Sequence, residues 1–112
     1  MSQKVEGSSF GIDERFDEDG ALRLALRGEL DMAVSDALTE RLAELKQRKS
    51  VVRLDLARLE FMDSSGLRAV IRALVDSRQD GWRLEIADEV TEPVARLIDL
   101  VGVRARFWPP HD

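Results

Sequence analysis

Cysteine is absent, and the chain has one histidine, His111, in the terminal stretch WPPHD. Thiolate nucleophiles, disulfides and cysteine metal sites are thereby excluded. A histidine-cluster metal centre is excluded too. A serine nucleophile would lack the well-placed imidazole that usually activates it. No apolar run approaches the ~20 residues that span a bilayer. The opening MSQKVEGSS has no apolar core of the signal-peptide kind. Positive charge is also short: 17 Lys and Arg stand against 22 Asp and Glu, a net charge of −5. That balance argues against a nucleic-acid footprint and against binding to an anionic membrane surface. The expectation is a soluble, cytoplasmic chain. Its 112 residues fit one compact domain and argue against two.

What is present alternates between two periods. Residues 1–9 are polar and read as a tail. Phe10, Ile12 and Phe16, the turn signal DEDG at 17–20, and alternating Leu22, Leu24 and Leu26 predict a β-hairpin. Val34, Leu38, Leu42 and Leu45 form a helical stripe. VVRLDLARL, residues 51–59, reads as a largely buried strand. Leu67, Val70, Ile71 and Leu74 lie at i, i+3, i+4 and i+7, the core face of a second helix. Trp82, Leu84 and Ile86 alternate as a strand. Pro93 opens a third helix with Val94, Leu97, Ile98 and Val101 on its stripe, and Gly102 closes it. Val103, Ala105 and Phe107 alternate as a last strand before the tail, 109–112. The order is β-β-α-β-α-β-α-β over residues 10–108. A hairpin followed by β-α units is an α/β fold with a mixed sheet.

One segment asks for more than a fold. FMDSSGLRAVIRAL, residues 61–74, enters its helix through Asp63, Ser64, Ser65 and Gly66. One polar side chain is enough to cap a helix. Two hydroxyls beside a helix N-terminus also make a place where a phosphoryl group would be electrostatically welcome. A kinase could supply the base, the ATP and the magnesium that this chain lacks. Gly66 would let another chain approach closely. Arg68 stands four residues after Ser64 and three after Ser65, on the same side of the helix. In RGELDMAVSDAL, residues 27–38, Glu29 and Asp31 lie where a strand gives way to a helix. Loops at the carboxyl ends of parallel strands converge, so Asp31 is expected at the same end of the sheet as Ser64. A phospho-accepting aspartate with magnesium at Asp55 or Asp63 is disfavoured, because no lysine follows Lys49. Nothing assembles a base, a nucleophile and an oxyanion site, so no enzyme, metal or cofactor is expected.

These motifs resemble a known family. RGELDMAVSDAL is similar to the first loop and helix of the single-domain STAS proteins that act as anti-anti-sigma factors in bacteria. LDLARLEFMDSSGLRAVI, residues 54–71, is similar to their signature, with Asp-Ser-Ser-Gly intact. The resemblance implies a STAS-like fold and an anti-sigma factor antagonist. Its partner would be an anti-sigma factor that is also a GHKL-type serine kinase, and binding would free a sigma factor. Phosphorylation of Ser64 would end the binding, and a PP2C-type phosphatase would reset it. Asp31, Asp63, Ser65, Gly66 and Arg68 would shape the binding loop, with Ser65 capping the helix. Arg68 stands where family members often have glycine. The alternative is a STAS scaffold subunit of a transporter or signalling complex without a phosphorylation cycle.

Overall fold

The computed structural model describes residues 10–110. His111 and residues 1–9 lie outside that range. The elements are β1 (Gly11–Phe16), β2 (Leu22–Leu30), α1 (Ser35–Gln47), β3 (Val51–Met62), α2 (Ser64–Asp80), β4 (Arg83–Val90), α3 (Glu92–Val101) and α4 (Arg104–Phe107). The sheet order is β1-β2-β3-β4. β1 runs antiparallel to β2, and β2, β3 and β4 are parallel. Two right-handed crossovers stepping the same way place both connecting helices on one face of a sheet. Accordingly α1 and α2 pack against each other. Among the described residues, no helix is long and apolar enough to cross a membrane.

The predicted hairpin forms, and its turn closes through the Gly20 N–H donating to the Asp17 carbonyl at 2.9 Å. Leu24, Leu26, Leu38, Leu45, Val52, Leu54, Leu56 and Val70 are fully enclosed in one core. The expected last strand is absent. Val103, Ala105 and Phe107 belong to the short helix α4 and the turn before it, so the order is β-β-α-β-α-β-α-α. Phe107 is buried in the common core, and the Trp108 indole donates to the Ala87 carbonyl of β4 at 3.4 Å. Over five residues, i and i+4 satisfy a period of 2 as well as a helical turn, so the alternation was ambiguous. Val101 is also more open than its stripe implied, at 52% exposure, because the helix ends there at Gly102.

β3 differs from a strand buried on both faces. Its inner side carries Val52, Leu54 and Leu56, whereas Arg53 and Asp55 point to an open face lined with charge. There Arg23 reaches Asp17 at 3.0 Å and Asp55 at 2.7 Å. Arg53 reaches Asp17 at 2.6 Å, Asp19 at 2.8 Å and Glu85 at 2.7 Å. On the helical side Arg41 of α1 holds Glu14 of β1, and Lys46 of α1 holds Asp76 of α2 at 3.0 Å.

Hydrogen bonds from Arg41, Arg23, Arg53 and Lys46 hold the carboxyls of Glu14, Asp17, Asp19 and Asp76, respectively, below their ordinary values of 4.5 for Glu and 3.8 for Asp. A carboxyl whose pKa is lower in the folded chain stabilises the fold above its unfolded pKa. That contribution is lost as pH falls through the folded value. The urea midpoint is therefore expected to stay level from neutral pH down to about 5 and to decline below it. Asp17→Asn should flatten the decline while lowering the plateau. A midpoint that rose on acidification would contradict the account.

Two bulges carry β3 to the functional end of the sheet. Ala25 pairs with Asp55 but Arg27 with Arg58, and Gly28 pairs with Leu59 but Glu29 with Phe61. Each extra residue in β3 reverses which side chains face inward. The core positions therefore run Leu56, Leu59, Met62 instead of alternating. The Asp55 carboxylate accepts the Ala57 N–H at 2.9 Å across the first bulge. The strand lasts to Met62, three residues beyond the predicted end, and α2 begins at once with Ser64.

Candidate functional site

The carboxyl ends of β2 and β3 lie side by side, with Leu30 paired to Met62. The loops that follow them therefore meet, and Asp63 joins them. Its N–H donates to the Leu30 carbonyl at 3.1 Å. One carboxylate oxygen accepts the Gly66 N–H at 2.9 Å, and the other accepts the Met32 N–H at 3.3 Å. Asp63 is thus the N-cap of α2 and also the tether of the β2–α1 loop. The expected capping role of Ser65 is corrected by this geometry. A carboxylate with extended backbone directly before the first turn reaches the third N–H, which Ser65, already helical, cannot do.

Asp31 shapes its own loop. Its carboxylate accepts the Ala33 N–H at 3.0 Å, and its carbonyl accepts from Val34 at 3.1 Å and Ser35 at 3.0 Å. The Asp31 and Ser64 segments do share one end of the sheet, joined through Met32 and Asp63. Gly66 is buried, and what approaches it is the chain itself. A Cβ built on Gly66 would lie 2.5 Å from the Leu30 carbonyl oxygen and 2.7 Å from Leu30 Cγ. The expectation that Gly66 admits a partner chain is replaced by this internal contact: α2 starts pressed on the end of β2.

With Asp63 capping, Ser64 has no structural task. It is exposed, and among the described residues its hydroxyl makes no hydrogen bond. Its N–H and that of Ser65 lie ahead of the first intrahelical bond, Leu67 N–H to the Asp63 carbonyl at 2.9 Å. The helix start around Ser64 therefore presents partial positive charge. Ser65 is half-buried and turns into a groove of about 610 Å³ between α1 and α2, where Met32, Ser35, Arg68 and Arg72 also stand. Arg68 is exposed and makes no ion pair among the described residues.

Two apolar residues at this end were passed over in the sequence. Met32 is 74% exposed and Phe61 is 47% exposed. Met32 falls before the stripe of Val34, Leu38, Leu42 and Leu45, so it had no core position to fill. That was the available signal. Phe61 escaped notice because the bulge that turns it outward has no simple sequence mark.

A family model described as "Mlab, STAS domain" matches residues 15–105. The chain belongs to the STAS-domain family. Among the relatives of this STAS protein is the anti-sigma F factor antagonist of Paenibacillus polymyxa, 37% identical over 95 residues, covering 83% of this chain and 80% of that one. The anti-sigma-B factor antagonist of Bacillus subtilis is 25% identical over 83 residues, covering 74% and 75%. The fold is that of an anti-sigma factor antagonist from Mycobacterium paratuberculosis, with a TM-score of 0.74 at 22% identity, covering 88% of this chain and 83% of that one. It is also that of the Bacillus cell fate determinant SpoIIAA in its phosphorylated form, with a TM-score of 0.63 at 17% identity, covering 82% and 84%. By sequence this STAS protein is thus a relative of proteins named anti-sigma factor antagonists, and it shares their fold.

Proposed function

We propose that this STAS protein is a partner switch acting on an anti-sigma factor that is itself a GHKL-type serine kinase. Unmodified, the surface around Ser64 binds the kinase and frees a sigma factor. The kinase then transfers the γ-phosphoryl group of ATP to the Ser64 oxygen. The new O–P bond replaces the bond to ADP, and the hydroxyl proton passes to the kinase's base. A PP2C-type phosphatase returns the hydroxyl. The chain supplies no catalytic group of its own, and the cycle takes place in the cytoplasm without nucleic acid or membrane at this surface.

The observation that carries this reading is the division of labour in Asp-Ser-Ser-Gly. Asp63 caps and tethers, Gly66 packs, and the Ser64 hydroxyl is exposed and unengaged among the described residues. The relatives named anti-sigma factor antagonists support it. The test is to incubate the chain with its captured kinase, ATP and magnesium, and to map the phosphate by mass spectrometry. Ser64→Ala is expected to abolish incorporation and Ser65→Ala to retain it. Phosphate on Ser65 would reassign the acceptor. Capture of a transporter ATPase with no phosphate transfer would support the scaffold alternative instead.

A further inference from the structure

Among the described residues Arg68, in the second turn of α2, has no ion-pair partner. At 3.6 residues per turn it lies about 40° around the helix axis from Ser64 and about 60° from Ser65, between the two. The side chains at i and i+4 on a helix approach to roughly 6 Å between Cβ atoms. A guanidinium on its long stem spans that gap, and its planar fork suits two phosphate oxygens. The other charges near it are already engaged or set apart. The Asp63 and Asp31 carboxylates accept backbone N–H groups. Arg72 stands one turn further on, and Asp36 stands across the groove on α1. The exposed Ser64 hydroxyl and the exposed Arg68 guanidinium have no partner among the described residues.

We propose that Arg68 is the cis counter-ion of a phosphoryl group on Ser64 and carries that modification into the groove between α1 and α2. Unmodified, Arg68 lines the groove beside Ser65, Met32 and Arg72. Phosphorylation turns its guanidinium toward Ser64, so the groove loses a positive charge while the helix start gains a neutralised phosphate. Two parts of the surface then change from one modification. The inference rests on the partner-switch reading for its place in the cell, but the ion pair itself does not depend on the kinase.

The experiment installs phosphoserine at position 64 during synthesis and titrates the phosphate by ³¹P NMR. The second phosphate ionisation is expected to move up by about half a unit in Arg68→Ala, because a nearby cation favours the dianion. Arg68→Lys should lie between the two, keeping the charge and losing the fork. Arg78→Ala, exposed on the last turn of the same helix, should titrate like the parent. The carboxylates around the site are common to all variants and cancel in the comparison. The Arg68 Nε–H resonance should move with the phosphate midpoint, which a purely structural role for Arg68 would not produce. Identical titrations for the parent and Arg68→Ala, or an Arg68 resonance indifferent to the phosphate, would overturn the proposal. No kinase or phosphorylation in the cell would sink the partner-switch reading and leave this titration standing. Identical titrations would sink only the ion pair.

Discussion

Gly66→Ala is expected to lower the unfolding free energy by about 2 kcal/mol, read as a fall in the urea midpoint at unchanged slope. The sign is the informative part. In an open helix the same change would stabilise by about 1 kcal/mol, since alanine is the better helix former. At position 66 the new methyl would enter the space of the Leu30 carbonyl, at 2.5 Å, and of Leu30 Cγ, at 2.7 Å. The carbonyl sits at the end of β2, where Leu30 is paired with Met62 of β3 and its oxygen already accepts the Asp63 N–H at 3.1 Å, so it has little room to yield. Relief would come by lifting the start of α2 off β2. That movement would strain the Asp63 bonds to Gly66 and Met32 and shift Ser64 relative to the β2–α1 loop. Partner affinity should therefore fall together with stability. A raised midpoint would show that the close approach of α2 to β2 is not what requires glycine.

Ser64→Asp is expected to weaken partner binding about a hundredfold, equivalent to about 3 kcal/mol, with no loss of folded structure. Ser64 is exposed in the first turn of α2, and an acid at a helix N-terminus is tolerated or favoured. The urea midpoint and the circular dichroism should thus match the parent. Binding is a different matter. A surface fitted to a neutral hydroxyl would meet a charge that must be stripped of water and left unpaired. The carboxylates of Asp63 and Asp31 stand at the same end of the sheet and add to the negative potential there. Phosphoserine, with about −1.5 to −2 charges at neutral pH, should act in the same direction and more strongly. Calorimetric titration against the proposed kinase partner measures the first effect, and a urea melt measures the second. Loss of binding accompanied by unfolding would replace the electrostatic switch with a conformational one.

Two features of the sequence were enough to locate the site. Leu67, Val70 and Leu74 at helical spacing, behind an apolar alternation ending near Leu59, placed Asp-Ser-Ser-Gly at a strand-to-helix junction. The preceding β-α unit, β2 and α1, placed Asp31 at the same end. Both inferences depend on periods of 2 and 3.6, which are properties of local backbone geometry.

The assignment of roles within the motif was decided by tertiary contacts. Whether Asp63 or Ser65 caps α2 depends on where β3 stops, and β3 stops at Met62 because two bulges keep it paired with β2. Gly66 is required by the end of β2, 36 residues earlier, and not by any local turn. Phe61 faces outward through a shift in strand register. Phe107 could complete a strand or a helical turn, and the core packing that buries it selected the helix. By itself, then, the sequence determined the succession of β3 and α2 and the position of an acid and two hydroxyls at a helix start. Only the folded chain decided which of those groups is structural and which is left exposed, because that depends on hydrogen bonds and close approaches between segments that are distant in sequence.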